Sequence, residues 1–223
     1  MKSAESHWRL LADVLAVGAP FALAVSGGDA VRAHGLVDRL SREVDVATEN
    51  PAPMADIASA VRSGLEERGW AVLSFDTDPL SARLVVIDPA TDEERELNVL
   101  KEVLWRPPVP TDLGPTLSLE DVVGTRVRAL ADRGFARDLV DVHAASDRWS
   151  HPELEELGRR HARDAFDLTD LQARLTGVEW IEDTAFAACG LGEDAVAELR
   201  RWAQEWADDI AERLVESGTP EDE

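Results

Sequence analysis

Residues 20–46 read PFALAVSGGDAVRAHGLVDRLSREVDV, and this stretch decides the fold. The apolar run Phe21 to Val25 stops at Ser26-Gly27-Gly28, which reads as a buried strand, a tight turn and then a short helix over Asp29 to Gly35 closed by glycine. Val44 and Val46 alternate with Glu43 and Asp45, the period-two pattern of a strand with one packed face. Side chains two apart on a strand point the same way, so Glu43 and Asp45 stand together on the other face.

Working outward, Trp8, Leu11, Val14 and Leu15 recur at helical spacing before Gly18-Ala19-Pro20, predicting a helix ahead of the strand. Downstream, Met54, Ile57, Val61 and Leu65 predict a helix over 54–68, followed by strands at Val72 to Phe75, Leu84 to Ile87 and Glu94 to Lys101. Asp88 to Asp92 suits a hairpin turn between the last two. Four prolines and a glycine between Arg106 and Pro115 read as a linker. The expected domains are therefore 1–110 and 116–223. Beyond the linker, Ser118 with Asp121 resembles a capping box opening a helix to about Asp132, and a second helix follows from Arg137 to Ala145. A last long helix, Asp194 to Val215, carries Val196, Leu199, Trp202, Trp206, Ile210 and Leu214 on one stripe. The fold class is α+β.

Composition narrows the function. The 223 residues carry 23 Lys+Arg against 45 Asp+Glu, a formal charge of -22, which argues against a broad basic phosphate-binding surface. A single cysteine, Cys189, forms no intramolecular disulfide, and no Cys/His cluster suggests structural zinc. The apolar run Val14 to Val25 is too broken by Gly18 and Pro20, and too short, to be a signal or membrane span; the expected location is the cytoplasm, with no membrane contact. The acids at 221–223 read as a solvated tail. P-loop, GxSxG and HExxH patterns are lacking. Trp202 and Trp206 are expected in the core, and Trp70, Trp105, Trp149 and Trp180 partly buried. His34 reads as structural, and His143 as a helix-face residue.

Two adjacent carboxylates repel unless a cation joins them. Hard oxygen ligands of this kind suit magnesium beside substrate phosphates. A glycine pair before a helix lets backbone N–H groups approach a triphosphate. Together, Ser26-Gly27-Gly28 and Glu43-Val44-Asp45 describe a metal-assisted phosphate site, although either piece alone is more often a turn or a solvated sheet face.

The run from Ser26 to Gly35, with Arg39, Ser41 and Glu43-Val44-Asp45, resembles the first motif of the AbiEii/AbiGii (MenT-like) toxin nucleotidyltransferases of the polymerase-beta-like superfamily. A second block is similar too: Leu117 to Asp121, Arg126, Arg128-Ala129-Leu130, Arg133, and Arg137-Asp138-Leu139-Val140-Asp141. The resemblance implies a mixed-sheet nucleotidyltransferase domain followed by a mainly helical one, with the nucleotide held between them. It implies transfer of a nucleoside monophosphate from a nucleoside triphosphate, dependent on two Mg2+ ions, to an acceptor that in such toxins is tRNA. It further implies an antitoxin partner. On this pattern Ser26, Gly27 and Gly28 cradle the triphosphate, Glu43 and Asp45 bind metal, Arg126 and Arg137 contact phosphate, and Asp138 or Asp141 completes the site.

The sequence departs from that pattern in three places. Glu43 stands where these toxins usually carry Asp, and Arg126 where they carry Lys, a planar fork in place of a compact ammonium. On the strand 94–101, Glu96 and Asn98 share the site-facing parity, so Glu96 is the candidate third ligand or base. Two alternatives stand beside the toxin-like enzyme. One is a nucleotide-binding or protein-interaction module on the same fold with weakened catalysis. The other is a small-molecule nucleotidyltransferase of the aminoglycoside type, in which an acidic cleft attracts a cationic acceptor.

Overall fold

The computed structural model describes residues 2–218, with side chains from 4 to 216; the acidic tail at 221–223 lies outside the described residues. Two compact units divide the chain, Met1–Val122 and Val123–Glu223. The first is built on a seven-stranded mixed sheet in the order β3-β4-β5-β2-β1-β7-β6. Its elements run α1 (Lys2–Gly18), β1 (Ala24–Val25), α2 (Gly27–Ala33), β2 (Val44–Thr48), α3 (Met54–Glu67), β3 (Ala71–Asp78), β4 (Ser81–Asp88), β5 (Glu93–Lys101), β6 (Val109–Thr111) and β7 (Gly114–Thr116).

Most of these were legible, with two corrections. The expected strand over Phe21 to Val25 shrinks to Ala24–Val25, because Ala19–Phe21 form a 3₁₀ turn with proline near its start and Ala22 takes a left-handed φ of 52°. Proline pre-sets the turn, and a left-handed residue interrupts a strand. The stretch 106–115 is no linker: it holds the β6–β7 hairpin, with β7 parallel to β1 through Val25 and Thr116. Its prolines are tolerated because both strands are three residues long and β6 ends the sheet.

Parity along β2 and β5 organises the core. Val44, Val46, Leu97 and Val99 are fully buried and pack with Leu10, Val14, Ile57, Val61 and Leu65 of α1 and α3. Each completely buried aliphatic side chain of this kind stabilises the fold by about 1.5–3 kcal/mol. Trp70 is buried as well, its indole N–H donating to Asp13 at 2.9 Å and the Arg9 guanidinium lying 4.2 Å from its ring centre. Trp105 and Trp180 break the expectation of partial burial, at 57% and 87% exposed.

The second unit is helical: the rest of α4 (Leu119–Arg133), then α5 (Ala136–His143), α6 (His151–Arg160), α7 (Leu168–Thr176), α8 (Asp183–Ala187) and α9 (Glu193–Gly218). Ser118 opens α4 as expected: its Oγ accepts from the Asp121 N–H at 3.1 Å and donates to the Asp121 carboxylate at 2.6 Å. On α9 the predicted stripe is real, with Val196, Leu199, Trp206 and Ile210 buried while Trp202 and Leu214 are half-buried. Trp206 donates to buried Glu155 at 2.8 Å, and Arg213 grips the same carboxylate at 2.6 and 2.9 Å. No described helix is long and apolar enough to cross a membrane.

Candidate active site

β2 runs parallel to β5 with Val44 beside Leu97, Asp45 beside Asn98 and Val46 beside Val99. Because the valines and Leu97 turn fully into the core, Asp45 and Asn98 face the other way together, and the Asn98 amide donates to Asp45 Oδ1 at 3.0 Å. Glu43 and Glu96 each sit one residue before the first pair of this ladder. Glu96 is engaged by Arg83 of the neighbouring strand at 2.5 Å.

The glycine turn closes on the same carboxylate. Gly27 has a φ of +61°, and a Cβ built on it would lie 2.0 Å from Asp45 Oδ2. Only glycine satisfies both the left-handed backbone and the close approach. The Ser26 N–H donates to the Asp45 carbonyl at 2.9 Å. Ser26 occupies the cap position of α2, yet its hydroxyl makes no cap bond and is buried without a hydrogen-bond partner. The sheet thus brings Ser26, Gly27 and Asp45 together, with Glu43 on the same strand approach.

Gly28 and Asp29 follow on the buried first turn of α2. Asp29 pairs at 2.8 Å with His7 of α1, both side chains at most 1% exposed. At the other end of α2, His34 Nε2 bonds the Leu117 carbonyl at 2.8 Å, so it must carry the proton there. The structural role expected of His34 matches this contact.

In the second unit the residues of the second motif also gather. Asp138 and Asp141 are fully buried, and Arg126, 11% exposed, lies 3.4 Å from Asp138 and 3.2 Å from Asp141. Arg133 adds a two-pronged grip on Asp138 at 2.7 and 2.8 Å. The Arg137 guanidinium rests 5.7 Å from the Phe135 ring centre. Arg126 and Arg133 therefore carry carboxylate partners, and Arg128 donates to the His161 carbonyl at 2.9 Å. The positive charge of Arg126 and Arg133 is thus partly compensated within the fold.

Fitness for a metal rests on the donor set. Among the described residues no group of three or more His, Cys, Asp or Glu side chains could hold a metal ion. Asp45 on β2, Glu43 in the bend just before it, an orphaned hydroxyl and a glycine cradle nevertheless suit magnesium, which retains waters and takes few protein ligands beside substrate phosphates. Sequence reasoning missed Asn98 as a partner of Asp45, although its parity on the strand pointed to that face. It also missed Asp121, whose carboxylate accepts the Trp105 and Arg106 N–H groups at 2.8 and 3.0 Å and so pins the segment after β5.

The family model described as nucleotidyl transferase AbiEii toxin, type IV TA system, matches residues 9–220. No curated protein matches the sequence. Among solved structures, JHP933 from Helicobacter pylori shares the fold at 14% identity, with a TM-score of 0.58 and 97% of each chain covered. The nucleotidyltransferase toxin MenT4 from Mycobacterium tuberculosis aligns at 16% identity and a TM-score of 0.52, over 91% of this chain and 89% of its own. With both motifs and nearly the whole length inside the match, the chain belongs to the AbiEii toxin nucleotidyltransferase family.

Proposed function

We propose that the protein is a Mg-dependent nucleotidyltransferase that moves a nucleoside monophosphate from a nucleoside triphosphate to an acceptor hydroxyl, with tRNA as the acceptor. The observation that carries this reading is the closure of the Gly27 turn onto Asp45, which leaves room for backbone but for no side chain. Glu43 and Asp45 hold the metal. Magnesium, when bound, neutralises charge on the phosphates as pyrophosphate leaves. Ser26, Gly27 and Gly28 line the triphosphate, the buried Ser26 hydroxyl supplying a donor that has no other use in the fold.

On the family pattern, Arg126 and Arg137 contact phosphate, and Asp138 or Asp141 serves catalysis. The pairs around Asp138 support a role in which Arg126 is held in one pose by its carboxylates. Glu96 is the weakest assignment, since Arg83 already engages it. Family membership supports an antitoxin as a cellular partner. The cytoplasm is the expected location.

A second reading, a nucleotide-binding module without transfer, draws on the Arg83–Glu96 and Arg126–Asp138 pairs, which occupy charges a transferase would use. Incubation with each α-labelled nucleoside triphosphate, magnesium and total tRNA separates the two. Labelled RNA that needs magnesium and disappears in Asp45→Asn is the expected result. Label found only on an added polycationic hydroxyl compound, and never on RNA, would reassign the acceptor. Magnesium-dependent nucleotide binding with no transfer to either would favour the module.

A further inference from the structure

Asp45 is constrained from two sides. On one side the Asn98 amide donates to Oδ1 at 3.0 Å; on the other, Oδ2 faces the bare Cα of Gly27, where a Cβ would come within 2.0 Å. The strand beneath cannot rotate to relieve either contact, because Val44, Val46, Leu97 and Val99 are all fully buried. From β5 the Asn98 amide touches this carboxylate, and Glu96 is engaged by Arg83.

We infer that Asn98 is a positioning residue: it holds the Asp45 carboxylate in one rotamer, with Oδ1 occupied, so that the carboxylate meets a cation already oriented. This rests on the reading of Glu43 and Asp45 as metal ligands. An amide here differs from its isosteres in both directions. A leucine would fill the same volume and remove the donor, loosening the hold on Asp45 Oδ1. An aspartate would bring a second anion to hydrogen-bond distance of Asp45, where two carboxylates repel without a cation and share one readily. Asn98 therefore sets the site to take a divalent ion weakly alone and firmly with a triphosphate, which brings its own negative charge and oxygen ligands. Residues that orient a metal ligand typically change affinity by about 10- to 100-fold when lost.

The test uses manganese as the probe, followed by the loss of its free-ion paramagnetic resonance signal, with the full chain alone and with a non-hydrolysable triphosphate. Asn98→Leu is expected to weaken manganese binding in the presence of triphosphate by about 10-fold or more, at an unchanged unfolding midpoint. Asn98→Asp is expected to do the opposite for manganese alone, tightening it while lowering the midpoint of the metal-free protein. Glu94→Gln, an exposed carboxylate elsewhere on β5, serves as the control and leaves both affinities within about two-fold. Should Asn98→Leu fold poorly, Asn98→Asp carries the decision through its metal-alone affinity. Wild-type affinity in both Asn98 variants, with Asp45→Asn abolishing binding, would overturn the positioning role and leave the metal site standing. A wild-type chain that binds no manganese even with triphosphate would remove the metal site and this inference with it.

Discussion

Asp45 and Asp138 are both aspartates beside motif residues, and their surroundings are opposites. Asp138 is fully buried, gripped by Arg133 through two hydrogen bonds and approached by Arg126. Asp45 is half-buried and accepts from the neutral Asn98 amide, with Glu43 just ahead of the strand. One carboxylate is gripped by arginines inside a helical core; the other lies against the glycine turn at the end of a strand. The difference teaches that a family motif can hold two kinds of acid, one that builds the fold and one that the fold presents.

The largest effect should fall on Asp138. Asp138→Ala leaves Arg126 and Arg133 without their shared carboxylate, and breaking a buried pair of this kind costs about 3–5 kcal/mol. Asp45→Asn relieves repulsion with Glu43, so its unfolding midpoint should equal or exceed that of the wild type. Urea denaturation of the two variants side by side checks the contrast. Comparable destabilisation of both would erase the distinction drawn here.

A smaller effect separates two glycines. Gly27 and Gly35 both have left-handed φ, +61° and +71°, but a Cβ at Gly35 meets nothing within 4 Å. Gly35→Ala should therefore cost only the conformational strain, about 1–2 kcal/mol. Gly27→Ala adds overlap with Asp45 and should cost more, and it should also abolish triphosphate binding while Gly35→Ala retains it. Calorimetric titration with a non-hydrolysable triphosphate is the measurement. Equal losses in both variants would place the nucleotide elsewhere.

How much of this was legible follows from where the information lies. Strand parity exposed Asp45, since alternation in β2 is a local pattern that burial enforces, whereas Glu43, expected on the strand, lies in the bend before it. The Ser118–Asp121 box and the α9 stripe were visible for the same reason. The β6–β7 hairpin was hidden because its prolines, Pro110 and Pro115, speak for a loop, and only pairing with β1, about 90 residues earlier in sequence, makes it a strand. The Asn98 bond to Asp45 and the Arg83 hold on Glu96 were equally hidden, being set by strand order and register across the sheet. The short polar helices α6, α7 and α8 left only a general helical signal, each burying few apolar side chains.

The smallest effect concerns pH. His143 and His151 flank the α9 tryptophans, at 4.9 Å from Trp202 and 5.2 Å from Trp206 between ring centres. Burial lowers the pKa of His143, against the pull of Glu198 and Asp147. Burial also lowers that of His151, opposed by Asp209, Glu155 and Glu205 and aided by Arg213. A folded-state pKa below the unfolded value of about 6.5 means that the unfolded chain binds more protons. Stability is then full above that value, declines as pH falls through it and levels off below the folded pKa. Melting curves between about pH 7.5 and 5 should show this decline, and the double variant His143→Gln/His151→Gln should flatten it.

The central claim is that Asp45 and the glycine turn form a metal-dependent triphosphate site. Thermal unfolding with a saturating nucleoside triphosphate, with magnesium and with chelator, tests it most directly, run on the wild type and on Asp45→Asn. The account predicts an upward shift of the wild-type midpoint that requires magnesium, as binding to the native state demands, and no such shift in Asp45→Asn. A shift of equal size with chelator present, or one retained in full by Asp45→Asn, would contradict it.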